Sequence, residues 1–506
     1  MNLVHDGWIP VIDDKQASRL VSLITLYEKA EILRDLAVNP PQRIALMRLL
    51  ICITQAALDG PEDEEAWLDC QPEIMSKSLD YLEKHADCFE LYGEKAFLQV
   101  PDLICDEKNY FEMEIDKLNV VLASGNARTL LNKDDVVGFE KIYKNANIAL
   151  DLLTYQNFAI GGGKSTTAKW GDESIDGHMN EKKENRYTSG PCSGSKLFTF
   201  IVGQNILETI FMNLITREML QTLANAEWGI PILEKFPESY SGKRSSVLRN
   251  QYLARLVPLS RFLSIDENNK KKIKVITNGF SYNDDPLNFQ DPMLTVTQYE
   301  RNKQTITKYL KCHVGRHPWR DLHSILAVKR LHGALALNHI YEIYDGSFMI
   351  WTGGLINDQG KPIQQCEWNF QLDVKSLGES FQQIYQIGLS LTQSAEYLLR
   401  MGIVGYYNEL GEKNIKNNTK RKKVLEKSIG YFWSILDSHY QDLINCAISQ
   451  EDKLNNIWYP IVRRAMEDAY AFACPHTTPR QIQAFALGRS KLRLKKFEEG
   501  WGDSSP

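Results

Sequence analysis

Apolar positions recur at helical spacing in two stretches near the start of the chain, 42–58 and 75–86, so that one face of each is expected to be buried. Shorter runs, Lys272 to Thr277 and Met293 to Val296, read as strands. Turn chemistry separates them. Asn278-Gly279 and Gly353-Gly354 punctuate expected strands, and Asn283-Asp284-Asp285-Pro286 offers short polar side chains that bond their own backbone ahead of a proline. From about Leu377 the pattern changes, as prolines and β-branched runs thin out. Phe381, Ile384, Leu391 and Leu398 recur at helical spacing, and similar patterns run through Val424 to Ile444, Ile457 to Phe472 and Arg480 to Phe497. Four such segments with short connections predict an antiparallel four-helix bundle. The expected fold is therefore α+β: a large mixed domain over residues 1–375, then a C-terminal helical bundle over 376–506. There is no internal repeat and no extended low-complexity segment.

Composition narrows the class. The 506 residues are 43% hydrophobic and 24% charged, as in ordinary globular chains. The longest apolar runs, Ile44 to Leu58 and Leu197 to Ile215, are interrupted by Arg48, Gln55, Gln204, Asn205 and Glu208, which marks buried amphipathic elements and not membrane spans. The N-terminus carries no basic stretch followed by an apolar one, so no signal peptide is expected. Nine scattered cysteines without a C-x-x-C pair suit a reducing cytoplasm and argue against a zinc ribbon. A net charge of −5 means that any nucleic-acid surface must be a local patch on an acidic background.

Several stretches carry candidate chemistry. Gly161-Gly162-Gly163-Lys164-Ser165 resembles the end of a phosphate-binding loop, but a P-loop needs a glycine five positions before Gly163, where Phe158 stands. What remains is a glycine run beside a cation, able to bring backbone close to an anion, or else a surface loop. A polar tract follows, from Lys169 to Ser195. Lys270-Lys271-Lys272 with Lys274 opens an expected strand, and either serves an anionic partner or stays hydrated. Arg489, Lys491, Arg493, Lys495 and Lys496 lie on the expected last helix, where Arg489, Arg493 and Lys496 share one face opposite Leu487 and Leu494. That face would suit a phosphate backbone, or equally complement the helix dipole in water. Lys420-Arg421-Lys422-Lys423 marks the start of the second expected helix. Trp351 to Gly360 reads as a hairpin whose polar tip ends in Gln359-Gly360, presenting a planar amide or simply turning the chain. Cys312, His313, His317 and His323 match no standard metal spacing. There is no G-x-S-x-G elbow, and Asp134-Asp135 and Asp284-Asp285 sit in turn-like contexts. No catalytic residue, metal or cofactor is expected, and the chain does not read as an enzyme. The rival reading is a nucleotide-dependent enzyme using Gly163-Lys164-Ser165.

The opening Asn2-Leu3, then Asp6, then Trp8-Ile9-Pro10-Val11, followed in order by the glycine loop, the lysine-bearing strand, the Gly-Gly to Gln tip and the helical C-terminus, resembles one family along nearly the full length. It is similar to the large subunit, CasA, of the type I-E CRISPR Cascade surveillance complex. The resemblance implies a non-catalytic, cytoplasmic DNA- and RNA-binding subunit of an antiviral ribonucleoprotein, which recognises the protospacer-adjacent motif (PAM) in double-stranded DNA, starts R-loop formation and recruits a helicase-nuclease. It implies partners in guide RNA, target DNA, the other Cascade subunits and that nuclease. It assigns motif reading from the minor groove to Gly161, Gly162, Gly163 and Lys272, and the strand-separating wedge to Gln359 with Gly360. It assigns the guide-RNA handle contact to Leu130, Leu131 and Asn132, and DNA steering to Lys420, Arg421, Lys422, Lys423, Arg489, Arg493 and Lys496. Three features depart from the family pattern: Leu130 replaces a usual aromatic, Asp358 replaces a frequent Asn before the wedge, and the mid-chain cysteine cluster of some relatives is missing.

Overall fold

The computed structural model describes residues 1–101, 104–105, 111–121, 144–159, 167–170, 173–176, 189–222, 226–234, 250–269, 272–280, 282, 285–287, 289–301, 304–326, 334–335, 337, 340, 346–358, 361–411, 419–449 and 453–495. They fall into two compact units. The larger takes Met1–Val314, Val328–Ile343 and Phe348–Gln371; the smaller takes Leu372–Pro506 and also Gly315–Ala327 and Tyr344–Ser347, so the chain passes back and forth between them.

In the larger unit, Ile9–Asp13 (β1) buries every second side chain and pairs antiparallel with Ser18–Val21 (β2) and Leu33–Leu36 (β3), in the order β2-β1-β3. Pro40–Ala57 (α1) starts where the sequence provides for it. Asn39 and Gln42 cap each other reciprocally, and a proline takes the first position, where no N–H is needed. The helix is buried nearly all round, Arg48 included, whose guanidinium pairs with Asp291 at 2.8 Å and donates to the Arg255 carbonyl at 2.6 Å. Phe111–Glu114 (β4) follows, then Asn145–Phe158 (α2) and Phe198–Val202 (β5). Arg261–Ile265 (β6) and Lys272–Asn278 (β7) complete a sheet of order β4-β7-β6. Ser347–Asp358 (β8) and Lys361–Asp373 (β9) form a long hairpin joined through positions 359 and 360, in a sheet of order β9-β8-β5.

Of the two glycine sites expected to punctuate strands, Asn278-Gly279 does so at the end of β7, whereas Gly353-Gly354 does not. Gly353 and Gly354 lie inside β8, where a Cβ would stand 2.3 Å from the Trp351 ring and 2.4 Å from the Lys196 carbonyl oxygen, respectively. After Asn278, the Gly279 N–H donates to the Ser260 carbonyl at 2.9 Å, and a Cβ there would meet the Leu259 oxygen at 2.2 Å. Gly354 and Gly279 need glycine because another stretch of backbone approaches closely, and not for a reversal. The strand expected at Met293–Val296 lies further on, at Val296–Arg301, paired with Gln304–Tyr309. Asp285 does form the expected local turn, its carboxylate accepting from the Leu287 N–H at 3.0 Å, while Asn283 and Asp284 lie outside the described residues.

In the smaller unit, the described residues beyond Leu377 form the α-helices Glu379–Glu409 (α3), Thr419–Asp437 (α4), Tyr440–Ser449 (α5), Tyr459–Ala473 (α6) and Pro479–Arg489 (α7), five where four segments were expected. The stretch Val424–Ile444 breaks at Ser438-His439. There Asp437 turns its carboxylate to Trp319 Nε1 at 2.7 Å and His317 Nδ1 at 3.0 Å, and His439 pairs with Asp442 at 3.0 Å. Trp319 is fully buried, 5.9 Å from Trp433 and 6.2 Å from Trp458 between ring centres, and its carbonyl accepts from Tyr385 Oη at 2.7 Å. The last helix also ends early. Beyond Arg489 the chain folds back over α3: a Cβ on Gly402 would meet Leu492 at 2.8 Å, one on Gly405 would meet Lys491 Nζ at 2.8 Å, and the Leu494 carbonyl accepts from Tyr459 Oη at 2.9 Å. These contacts outweigh helical propensity. Arg489 and Arg493 therefore do not share the expected helical face, and the expectation for Lys496 lies outside the described residues.

Candidate nucleic-acid interface

Over Lys272 to Lys274, strand β7 alternates in the way a half-buried strand must. Ile273 is fully buried against Met113 of β4 and Ile265 of β6, so Lys272 and Lys274 are turned to the opposite face. Across the ladder Lys272 stands opposite Glu114, and Lys274 opposite Glu112. The Lys272 ammonium reaches diagonally and donates to Glu112 Oε2 at 2.8 Å, with both side chains about half exposed, at 53% and 48%. Neither carboxylate was singled out from the sequence, although Phe111-Glu112-Met113-Glu114 alternates apolar and acidic as an edge strand would.

The root of the glycine loop reaches the same sheet. Gln156, near the end of α2 and fully buried, donates to the Leu98 and Arg261 carbonyls at 3.0 and 2.9 Å and accepts from the Arg261 N–H at 2.9 Å. That clamps α2 to β6, the neighbour of β7. The two described ends of the loop are also tied, Gly190 N–H to the Ala159 carbonyl at 2.7 Å and Cys192 N–H to the Asn157 carbonyl at 3.0 Å. Gly161, Gly162 and Gly163 lie outside the described residues, as do Lys164 and Ser165. Position 158 nevertheless bears on the nucleotide reading. Phe158 is a buried last residue of a helix, and Thr167–Trp170 beyond the loop is a strand, the reverse of the strand-loop-helix order that cradles phosphates.

The hairpin is held from behind. Residues 350–356 of β8 are buried in succession. Trp351 packs on Phe200 with 5.6 Å between ring centres, lies under the Arg43 guanidinium at 5.6 Å, and donates from Nε1 to Glu367 at 3.1 Å. Near its tip the Asn357 N–H donates to Ser195 Oγ at 2.9 Å; Ser195 and Gly194 both take positive φ, 61° and 82°, to bring that hydroxyl into place. Cys366 Sγ contacts the Gly354 carbonyl at 3.6 Å, and the Cys312 thiol, which interacts with that of Cys366, stands where a Cβ on Gly354 would meet it at 2.9 Å. Asp358 is exposed, and Gln359 and Gly360 lie outside the described residues, as do Leu130, Leu131 and Asn132.

In the helical unit, Lys420 belongs to α4, Arg421 stacks over the Tyr407 ring at 4.2 Å, Lys422 faces Glu426 at 3.8 Å, and Lys423 is exposed. Arg489 stands 4.0 Å from Glu467, and Arg493 is exposed in non-helical chain. Cys312 and His317 are engaged separately, the first beside Gly354 and the second on Asp437. Among the described residues no group of three or more His, Cys, Asp or Glu side chains is placed to hold a metal ion, and no helix is long and apolar enough to cross a membrane.

The family model for CRISPR-associated protein Cse1 matches residues 2–469. A CasA/Cse1 protein of Thermus thermophilus is 31% identical over 218 residues, which is 42% of this chain and 39% of that relative, so the match spans about two fifths of its length. Among solved structures, Cse1 from Acidimicrobium ferrooxidans superimposes with a TM-score of 0.74 at 17% identity, covering 97% of this chain and 96% of its own. The CasA structure from Thermus thermophilus gives 0.72 at 20% identity, covering 97% and 98%, and a chain of a CRISPR RNA-guided surveillance complex gives 0.70 at 15% identity, covering 97% and 99%. At these identities the likeness is one of fold.

Proposed function

Because the chain belongs to the CRISPR-associated Cse1 family, we propose that it is the large subunit of an RNA-guided surveillance complex, and that it recognises a short motif in double-stranded DNA and begins to open the duplex beside it. The observation that carries this reading is the common rooting of its two motif-reading parts. Gln156 clamps the helix that leads into the glycine run to β6, and β6 pairs with the strand that turns Lys272 outward. A glycine backbone and one ammonium suit the minor groove, where A·T and T·A present only acceptors and tolerance of several motifs is natural. Gln359 and Gly360 then act as the wedge, and the stiff β8–β9 hairpin behind them takes the reaction force of unstacking, about a few kcal/mol per step. Sequence beyond the motif is read by pairing with the guide.

In the same reading Leu130, Leu131 and Asn132 hold the 5′ handle of the guide RNA, while Lys420, Arg421, Lys422, Lys423, Arg489, Arg493 and Lys496 steer DNA by exchanging counterions with its phosphates. The subunit is cytoplasmic and non-catalytic, and it recruits the helicase-nuclease that degrades the target. The two parts of the chain, 1–375 and 376–506, divide motif reading from steering.

The test is a binding titration of the reconstituted guide-RNA complex, with and without this chain, on duplexes differing only in the two or three base pairs beside the protospacer. A preference conferred by the chain supports the reading. Equal binding in all cases overturns it. Gln359→Ala is expected to leave motif binding in place while slowing R-loop formation, and unchanged R-loop kinetics would remove the wedge assignment.

A further inference from the structure

Resting on the proposal that Lys272 contacts DNA, we infer that Glu112 is a positioning residue for that lysine: it holds the ammonium in one direction and masks its charge, so that Lys272 contributes directional hydrogen bonding in place of general attraction to phosphate. The edge strand β4 sets its two carboxylates, Glu112 and Glu114, against the two lysines of β7, Lys274 and Lys272, on a single face of the ladder. That face is solvated, since Lys272 and Glu112 are about half exposed, at 53% and 48%. An ion pair so exposed does little for the fold. Its consequence lies in what the face offers an approaching polyanion.

A lone lysine on a flexible four-carbon stem is a mobile point charge that favours any phosphate equally. Tied to Glu112 at 2.8 Å, its ammonium has a fixed direction and its local net charge is close to zero. An ammonium carries three donors, so holding a carboxylate and contacting an acceptor in a groove are compatible. The pair therefore persists in the complex. It suppresses the sequence-independent term, which scales with the cations presented to phosphate, and keeps the term that depends on an acceptor being correctly placed. It also removes part of the ordering cost that a free lysine meets on binding.

The inference is tested with the assembled complex, carrying wild-type chain, Lys272→Ala, Glu112→Gln or both, titrated against motif-bearing and motif-lacking duplexes over a range of salt. Glu112→Gln is expected to strengthen binding to the motif-lacking duplex, steepen its salt dependence by about one counterion, and narrow the ratio between the two duplexes. The double variant is expected to return the slope to that of Lys272→Ala, and thermal melting is expected to be the same for all four. If Lys272→Ala weakens motif binding while Glu112→Gln leaves both slope and ratio at wild-type values, the positioning role is overturned and the DNA-contact reading stands. If Lys272→Ala itself changes nothing, the DNA-contact reading of this strand falls and the role of Glu112 falls with it.

Discussion

On β7 the buried Ile273 is flanked by two lysines turned to the opposite face, beside the carboxylates of the neighbouring strand; on β8 seven residues in succession, 350–356, are buried before the chain reaches its tip. The first arrangement keeps a charged group exchangeable. The second fixes a backbone in place. Under the proposed function the difference follows from the work each region does, because a reader must form and break contacts with each duplex it tests, whereas a wedge must not yield when stacked bases push back.

The contrast is most directly broken from the hairpin side. Trp351→Ala removes the largest buried side chain of β8 together with its packing on Phe200, and is expected to destabilise the larger unit by about 3–5 kcal/mol, measured by chemical denaturation. A loss near zero would mean the hairpin is not held from behind. Gly354→Ala is milder in chemistry but places a methyl 2.4 Å from the Lys196 carbonyl oxygen; about 1–3 kcal/mol is expected, with slower R-loop formation at unchanged motif affinity.

The helix that roots the glycine loop differs again, in being sensitive to pH. Burial raises the Asp151 carboxyl from 3.8 to about 6, with a hydrogen bond from Gln42 working in the other direction. Its folded-state pKa lies above the unfolded one, so the folded state holds the proton more tightly, and stability falls as pH rises through the range between the two values. Asp151→Asn is therefore expected to stabilise the protein by roughly 1–3 kcal/mol at pH 7, the gain shrinking as pH drops below 6 and vanishing near pH 4. An advantage independent of pH would show that the carboxyl is not the cause. At the small end, Lys272→Ala is expected to change stability by less than about 0.5 kcal/mol while weakening binding to the motif-bearing duplex and leaving the salt slope near its wild-type value, since Glu112 already masks the charge. A large fall in melting temperature would make Lys272 a structural residue and erase the contrast with the hairpin.

Periodicity made the long elements legible. The run 42–58 became a helix over Pro40–Ala57, and Lys272–Thr277 became β7, because in both cases burial of an apolar face is the force that forms the element. What periodicity missed were interactions across sequence distance. Gly353-Gly354 carries a turn-like composition, yet Gly354 serves the approach of the chain at Lys196, some 160 residues earlier. Residues 490–495 have helical composition, but contacts with Gly402, Gly405 and Tyr459 decide their path. Of the candidate site, the sequence placed Lys272 at the start of a strand, and the burial of Ile273 in the structure turns it outward. Its partner Glu112 lies 160 residues away and was visible only as half of a short alternating strand. Gln156 gave no local signal, because a buried glutamine is recognised by what it bonds and not by its neighbours in sequence.

The placement of Trp319 inside the helical unit has a consequence for the order of events on the ribosome. Its carbonyl and indole wait for Tyr385, Trp433, Asp437 and Trp458, all synthesised later. At the usual elongation rate of about 5–20 residues per second, Trp319 stays without its last partner for roughly 7–28 seconds after it is made. During that interval a large apolar side chain belongs to a part of the protein that does not yet exist. The burial of Trp319 is therefore completed only after Trp458 has been made.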